Sequence, residues 1–244
     1  MSHALVDCGF GRPETSRSGP EESVGLHAWS RGDSRTEPAA IELACFDRVF
    51  LEGDVLPVSV LFADLRGFTA VAEQLPPRRT ASLLNAYLTA MVDVILARHG
   101  MIQDFVGDGI LAVFGAPLRD PDHAWHAMVS AVEMQAAIRR LERQSGLEWR
   151  IRLSMGVAVH SGEVFAGTVG SPRLSKYAAV GDTVNVASRL EELNRALGTS
   201  IVMSGQTIAL LRHRVEVRRR GWFRVRGRSH AIELFELLAL RRSP

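Results

Sequence analysis

Lysine is almost missing from this chain: of its 29 basic residues only Lys176 is not an arginine. Cysteine is nearly as scarce, with Cys8 and Cys45 alone. Two such isolated thiols exclude a disulfide framework and match no metal-ligand spacing, so they read as free thiols in a reducing cytoplasm. No apolar run approaches the ~20 residues needed to cross a bilayer. Nor does the N-terminus carry a basic-then-apolar leader. The expectation is therefore a cytoplasmic protein without a membrane segment. A net charge of +2 argues neither for nor against nucleic acid. The arginine cluster between Arg212 and Arg228 would bind phosphate backbones in a salt-dependent way. No reader motif accompanies it, and Trp222 and Phe223 are the only aromatics nearby, so nucleic acid is not the expected partner.

What is present is ordinary globular material, 46% hydrophobic and 23% charged in 244 residues. Residues 1–50 are rich in Ser, Gly, Pro, Glu and Arg without periodicity and read as a largely disordered N-terminal extension, with Ile41–Phe50 as a short lead-in. Residues 51–240 form the domain. Val58–Ala63 reads as a buried strand, Phe68–Gln74 as a short helix, and Pro77–Arg98 as a long one stopped by Gly100. Met101–Phe105 and Ile110–Phe114 are strands around Gly107-Asp108-Gly109. Asp120-Pro121 predicts a helix start, with the helix reaching about Gln144. Arg150–Val159 and Glu163–Val169 are expected as a hairpin around Ser161-Gly162. Thr183–Leu197 reads as a helix ended by Gly198. Short elements follow, at Ser200–Met203, Gln206–Leu211, Val215–Arg220 and Ile232–Leu237. Alternating helices with frequent hairpins predict an α/β (α+β) domain with a mainly antiparallel sheet flanked by helices.

Two aspartates carry the chemistry. Asp64 closes an apolar strand and runs into a glycine turn and a helix start; Asp108 sits at the tip of a tight turn between apolar runs. Neighbouring strand ends can bring such carboxylates together, which suits a pair of divalent cations holding a polyphosphate. The turn Leu65–Thr69, including Gly67, Phe68 and Thr69, offers backbone N–H groups to phosphate oxygens. The substrate this points to is a nucleoside triphosphate. Asn185 and Arg189 are four residues apart and share one helix face beside Val186, Leu190, Leu193 and Leu197.

Four stretches together carry a resemblance: Phe62–Thr69, Val106–Gly115, Gly156–Val164 and Val180–Leu190. The chain resembles the catalytic domain of class III nucleotide cyclases, over roughly residues 55–238. The resemblance implies a ferredoxin-like α/β fold and a head-to-tail homodimer with two active sites at the interface. Each site would take its metal carboxylates from one subunit and its base- and transition-state-binding residues from the other. It further implies two Mg²⁺ or Mn²⁺ per site on Asp64, Asp108 and the Leu65 carbonyl. Asn185 would orient the ribose, and Arg189 would stabilise charge on the α-phosphate. Arg226 stands where the family usually has a phosphate-binding lysine. His160 is placed in a turn without a catalytic part, His99, His123 and His126 at the surface, and Gly167–Tyr177 in a dimer arm where Arg173 and Lys176 would meet the partner.

The purine-reading positions depart from the family. Asp104 stands where adenylate cyclases place lysine, and Ala178 where they place Asp or Thr. A carboxylate at 104 can only accept. It disfavours adenine N1, accepts from the N6 amino group, and suits the N1–H and N2–H donors of guanine, whereas Ala178 gives guanine O6 no partner. The expected product is cyclic AMP, with cyclic GMP as the alternative. A dimerising, catalytically weak or silent module is the competing reading.

Overall fold

The computed structural model describes residues 53–149 and 152–241. Residues 1–50, with Cys8, Cys45 and Ile41–Phe50, lie outside the described residues. The described chain begins with β1 (Asp54–Leu65), α1 (Phe68–Gln74), α2 (Pro77–Ala97), β2 (Met101–Val106), β3 (Gly109–Phe114) and α3 (His123–Trp149). It continues with β4 (Met155–Ser171), β5 (Leu174–Val180), α4 (Asp182–Leu197), β6 (Ile201–Ser204), α5 (Gly205–Leu211), β7 (Val215–Phe223) and β8 (Ile232–Leu240). One sheet runs β2-β3-β1-β4-β6-β8-β7, with β5 paired to β4 off that path. Only β4 and β6 pair in parallel. This is the mixed, mostly antiparallel sheet flanked by helices that the sequence pattern predicts.

Alternation along β1 explains both layers. Leu61, Ala63 and Leu65 join the cluster built by α2 and α3, while Leu56, Val58 and Val60 face the opposite cluster, which takes Ala187 of α4. Both faces are covered, so β1 reads as an almost continuous apolar run. By length and composition α2 could cross a bilayer. Its Leu83, Tyr87, Met91 and Ile95 form one wholly buried face that joins the core cluster of the sheet.

Four local expectations are corrected. The expected hairpin at Ser161-Gly162 is a single 17-residue strand, β4, paired with β1 from Met155 to Ala166 without a break. Gly162 is there for space, because a Cβ would stand 2.6 Å from Thr183 Oγ1. His160 therefore lies within a strand, buried, with Nδ1 2.8 Å from Ser204 Oγ. His123 is likewise buried, not at the surface, and bonds Ser59 Oγ at 2.8 Å. Helix α3 begins at His123 and not at Pro121, since Asp120 Oδ1 accepts from the Asp122 N–H (2.8 Å) and closes a turn first. At the end of α2 the left-handed residue is His99 (φ 60°); Gly100 is required because a Cβ would meet Ile95 and Phe114 at 2.6 and 2.7 Å.

Candidate active site

The β1–β3 register pairs Ala63 with Ile110, which sets the next residue of β1, Asp64, beside the turn that carries Asp108. Gly107 forms that turn with φ 65°, and Gly67 turns the chain out of β1 into α1 with φ 73°. The two carboxyl groups come within hydrogen-bonding reach of one another. They line a cleft of about 480 Å³ with Phe62, Val106, Ser188, Glu191, Glu192 and Arg195. Burial first, then the charge and proximity of Asp108, push the Asp64 carboxyl up to about 7. Leu65 is buried at the same strand end, and Gly67, Phe68 and Thr69 lie in the adjoining turn and first turn of α1.

Sequence reasoning missed two residues here. Arg195 is ion-paired with Asp64 and lies 3.8 Å from Glu191. Glu191 is 3% exposed at its side chain, and its Oε1 has no hydrogen-bond partner. The signal was available, because Ser188, Glu191 and Arg195 recur at helical spacing on α4. Tyr87 Oη is a second buried, unpartnered atom, and its pKa is raised by burial and by the charges of Asp64, Asp108 and Glu191. A pair of carboxylates lining one cleft with the partnerless Oε1 of Glu191 offers all-oxygen ligands and fits a hard divalent cation. Among the described residues no group of three or more His, Cys, Asp or Glu side chains gathers as a metal cage.

Asn185 and Arg189 also lie on α4, yet neither lines the Asp64–Asp108 cleft. Arg189 instead faces the loop after β7: a Cβ on Gly227 (φ 77°) would stand 3.4 Å from its guanidinium. The exposed Arg226 precedes that glycine. Arg228 ties the loop to the first turn of α4 through Asp182 at 2.7 Å. One helix thus shows Ser188, Glu191 and Arg195 to the carboxylate cleft and Arg189 to the Arg226 loop.

Asp104 lies on β2 and Ala178 on β5, two strands joined through Gln103–Ala179 and Asp104–Lys176. Gln103 is the extra residue of a bulge between Ile102 and Asp104. Its side-chain amide accepts from Ala179 N (2.9 Å) and donates to Ala179 O (3.0 Å). Ala178 is buried and brings no polar group. Lys176 Nζ donates to Asp104 Oδ2 at 2.7 Å. That hydrogen bond, ahead of the ammonium charge, holds the Asp104 carboxyl below its ordinary range. A separate cavity of about 450 Å³, lined in part by His99, Leu118, Asp120 and His126, contains none of the predicted residues.

Residues 53–238 match the model of the adenylate and guanylate cyclase catalytic domain. The chain belongs to the class III adenylate/guanylate cyclase catalytic family. It is 35% identical over 190 residues to adenylate cyclase 1 of Rhizobium meliloti, covering 76% of this chain and 28% of that protein. Against adenylate cyclase of Anabaena cylindrica it is 32% identical over 189 residues, covering 75% and 37% respectively. The chain thus spans between about a quarter and two fifths of these curated relatives. Among solved structures, the guanylyl cyclase Cya2 superposes with a TM-score of 0.71 at 36% identity, covering 78% of this chain and 95% of that one. The adenylyl cyclase CyaB from P. aeruginosa gives 0.72 at 30% identity, covering 79% and 98%.

Proposed function

We propose that this chain converts a purine nucleoside triphosphate, ATP or GTP, into the 3′,5′-cyclic nucleotide and pyrophosphate at the interface of a head-to-tail homodimer, in cyclic-nucleotide signalling. The observation that carries this reading is the convergence of Asp64 and Asp108 on one cleft, a pair of acids whose mutual repulsion calls for cations. Asp64, Asp108 and the Leu65 carbonyl would hold two Mg²⁺ or Mn²⁺ per site. Bound there, such ions lower the pKa of the ribose 3′-hydroxyl and neutralise the departing pyrophosphate.

The remaining work falls to the protein's own groups. Backbone N–H groups of Gly67, Phe68 and Thr69 donate to phosphate oxygens. Asn185 holds the ribose so that its 3′-oxygen points at the α-phosphorus. Arg189 stabilises the negative charge that grows as the new O–P bond forms and the bond to pyrophosphate breaks. Arg226 grips the terminal phosphates with a forked guanidinium in place of a lysine. Within one chain Arg189 stands away from the carboxylate cleft. That separation supports a second subunit bringing its Arg189 to the first subunit's acids. The exposed Val169 and Leu174 of the β4–β5 arm would belong to the same interface.

Complementation tests both the chemistry and the dimer. Asp64→Ala and Arg189→Ala should each abolish cyclic product from ATP and GTP with Mn²⁺. Mixed in equal amounts, they should recover about a quarter of parental activity, because half the dimers are mixed and each mixed dimer has one intact site. No recovery from two folded variants would defeat the shared site. A silent parent that still binds nucleotide would instead favour the regulatory module, a reading to which the Arg195–Asp64 ion pair lends weight.

A further inference from the structure

Glu191 is a buried acid whose charge is only half answered. Its side chain is 3% exposed, Oε1 has no hydrogen-bond partner, and Oε2 stands 3.8 Å from Arg195, beyond hydrogen-bonding distance. An ionised carboxylate in that setting is costly unless a cation or donors reach it. The fold nevertheless makes room for it. Gly156 pairs with Asp64 across β4 and β1, and a Cβ on that glycine would stand 2.5 Å from Glu191 Oε1. Two arginines are close enough to matter, Arg195 first and Arg66 second. Arg66 already donates Nη2 to the Thr199 carbonyl. Arg195 is engaged by Asp64, but its side chain is 57% exposed, and an exposed ion pair is easily exchanged. Arg195 also follows Glu191 by four residues, the favourable order for a helical pair, and it lies in the last turn of α4, where free carbonyls favour a cation. Its guanidinium therefore has two seats within reach, on Asp64 and on Glu191.

Resting on the metal reading above, we infer that Glu191 and Arg195 are positioning residues for the acid pair: Arg195 neutralises Asp64 before a divalent cation binds, and crosses to Glu191 when one arrives. In the first arrangement the guanidinium offsets the repulsion between Asp64 and Asp108. In the second the ion takes over that task, and Glu191 gains the hydrogen-bonded cation that its burial calls for. Asp64 thus faces one positive charge or another throughout, and the side chain that blocks the ion has a place to go. Among the described residues the two aspartates and Glu191 do not gather as a three-ligand cage, so Glu191 acts on the ion through Arg195. The apparent affinity for the ion is then set by the fraction of molecules in which Arg195 has left Asp64.

Calorimetric titration of Mn²⁺ without nucleotide tests this as a double-mutant cycle. Glu191→Gln keeps the shape and removes the second seat, so it should weaken Mn²⁺ binding about two- to fivefold. In the Arg195→Met background the same change should move the affinity by less than about 1.5-fold. Arg195→Lys keeps a charge that can reach either acid, and should bring the dependence on Glu191 back. Equal weakening in both backgrounds would make Glu191 a direct attractant of the ion and overturns the inference, as does no weakening in either. A crystal structure of the parent with Mn²⁺ decides without relying on how any variant folds. Arg195 hydrogen-bonded to Glu191 upholds the exchange; Arg195 still on Asp64, or turned into solvent, refutes it. Failure to cyclise a nucleotide while this coupling holds counts against the cyclase reading alone. A parent that binds no Mn²⁺ overturns the metal reading and the exchange together.

Discussion

The guanidinium of Arg195 is ion-paired with the carboxylate of Asp64, 131 positions earlier in the chain. The same guanidinium lies 3.8 Å from Glu191, one turn back on its own helix. The divalent cation proposed at Asp64 would share that carboxylate with Arg195. Because Arg195 is 57% exposed at its side chain, the competition is weak. Arg195→Met should tighten Mn²⁺ binding about two- to fivefold, read by titration calorimetry. An unchanged or weaker affinity would show that Arg195 supports the acid pair in its ion-binding geometry.

Asp64 also sets a pH signature. Its carboxyl is raised from 3.8 to about 7, by burial first and by Asp108 next. A raised acid prefers its neutral form in the fold. Its contribution to stability is full below 3.8 and is lost as pH climbs through 7. Asp64→Asn keeps the shape without the titration. In chelator at pH 8 it should melt several degrees above the parent, and the gap should close near pH 4. Added Mn²⁺ should raise the parent's melting temperature and leave that of the variant unmoved. A parent that melts higher than Asp64→Asn in chelator at pH 8 contradicts the raised carboxyl.

The opposite sign holds for His160. Burial, then the positive charge of Arg228, lowers its imidazole from 6.5 to about 4. The fold prefers the neutral ring, so this contribution is present above 6.5 and lost as pH falls to about 4. The loss is on the order of 2–3 kcal/mol by pH 4. His160→Gln should flatten the acid limb of a melting-temperature profile between pH 6.5 and 4. An acid limb identical to the parent's would mean that other groups carry it.

Close packing at Gly162 gives a fourth expectation. A Cβ there would stand 2.6 Å from Thr183 Oγ1, which donates to Glu163 O at 2.8 Å. Gly162→Ala should destabilise by about 1–3 kcal/mol, measured by urea unfolding. Combined with Thr183→Ala, part of that loss should return, a coupling of the kind that contacting residues show. Strict additivity would place the crowding elsewhere.

Much of this was legible beforehand, because the informative residues lie in contiguous runs. Asp64 and Asp108 each announced themselves through a strand, a turn and a glycine, and period-2 and period-3.6 patterns gave most elements. Failures came where a local signal met a tertiary cause. Ser161-Gly162 looks like a turn to anyone who cannot see Thr183 pressing on that glycine. His123 looks exposed beside Asp120 and Asp122 until Ser59 is found beneath it. Contacts between distant positions, Arg195 with Asp64 and Lys176 with Asp104, leave no trace in spacing.

The tether at Gln103 narrows what evolution could write at that position. Its amide imitates a backbone rung, giving and taking one bond with Ala179 at 3.0 and 2.9 Å. Glutamate could only take, leucine could do neither, and asparagine falls one methylene short of the span. The junction of β2 with β5 therefore hangs on one side chain that gives and takes as a peptide group does.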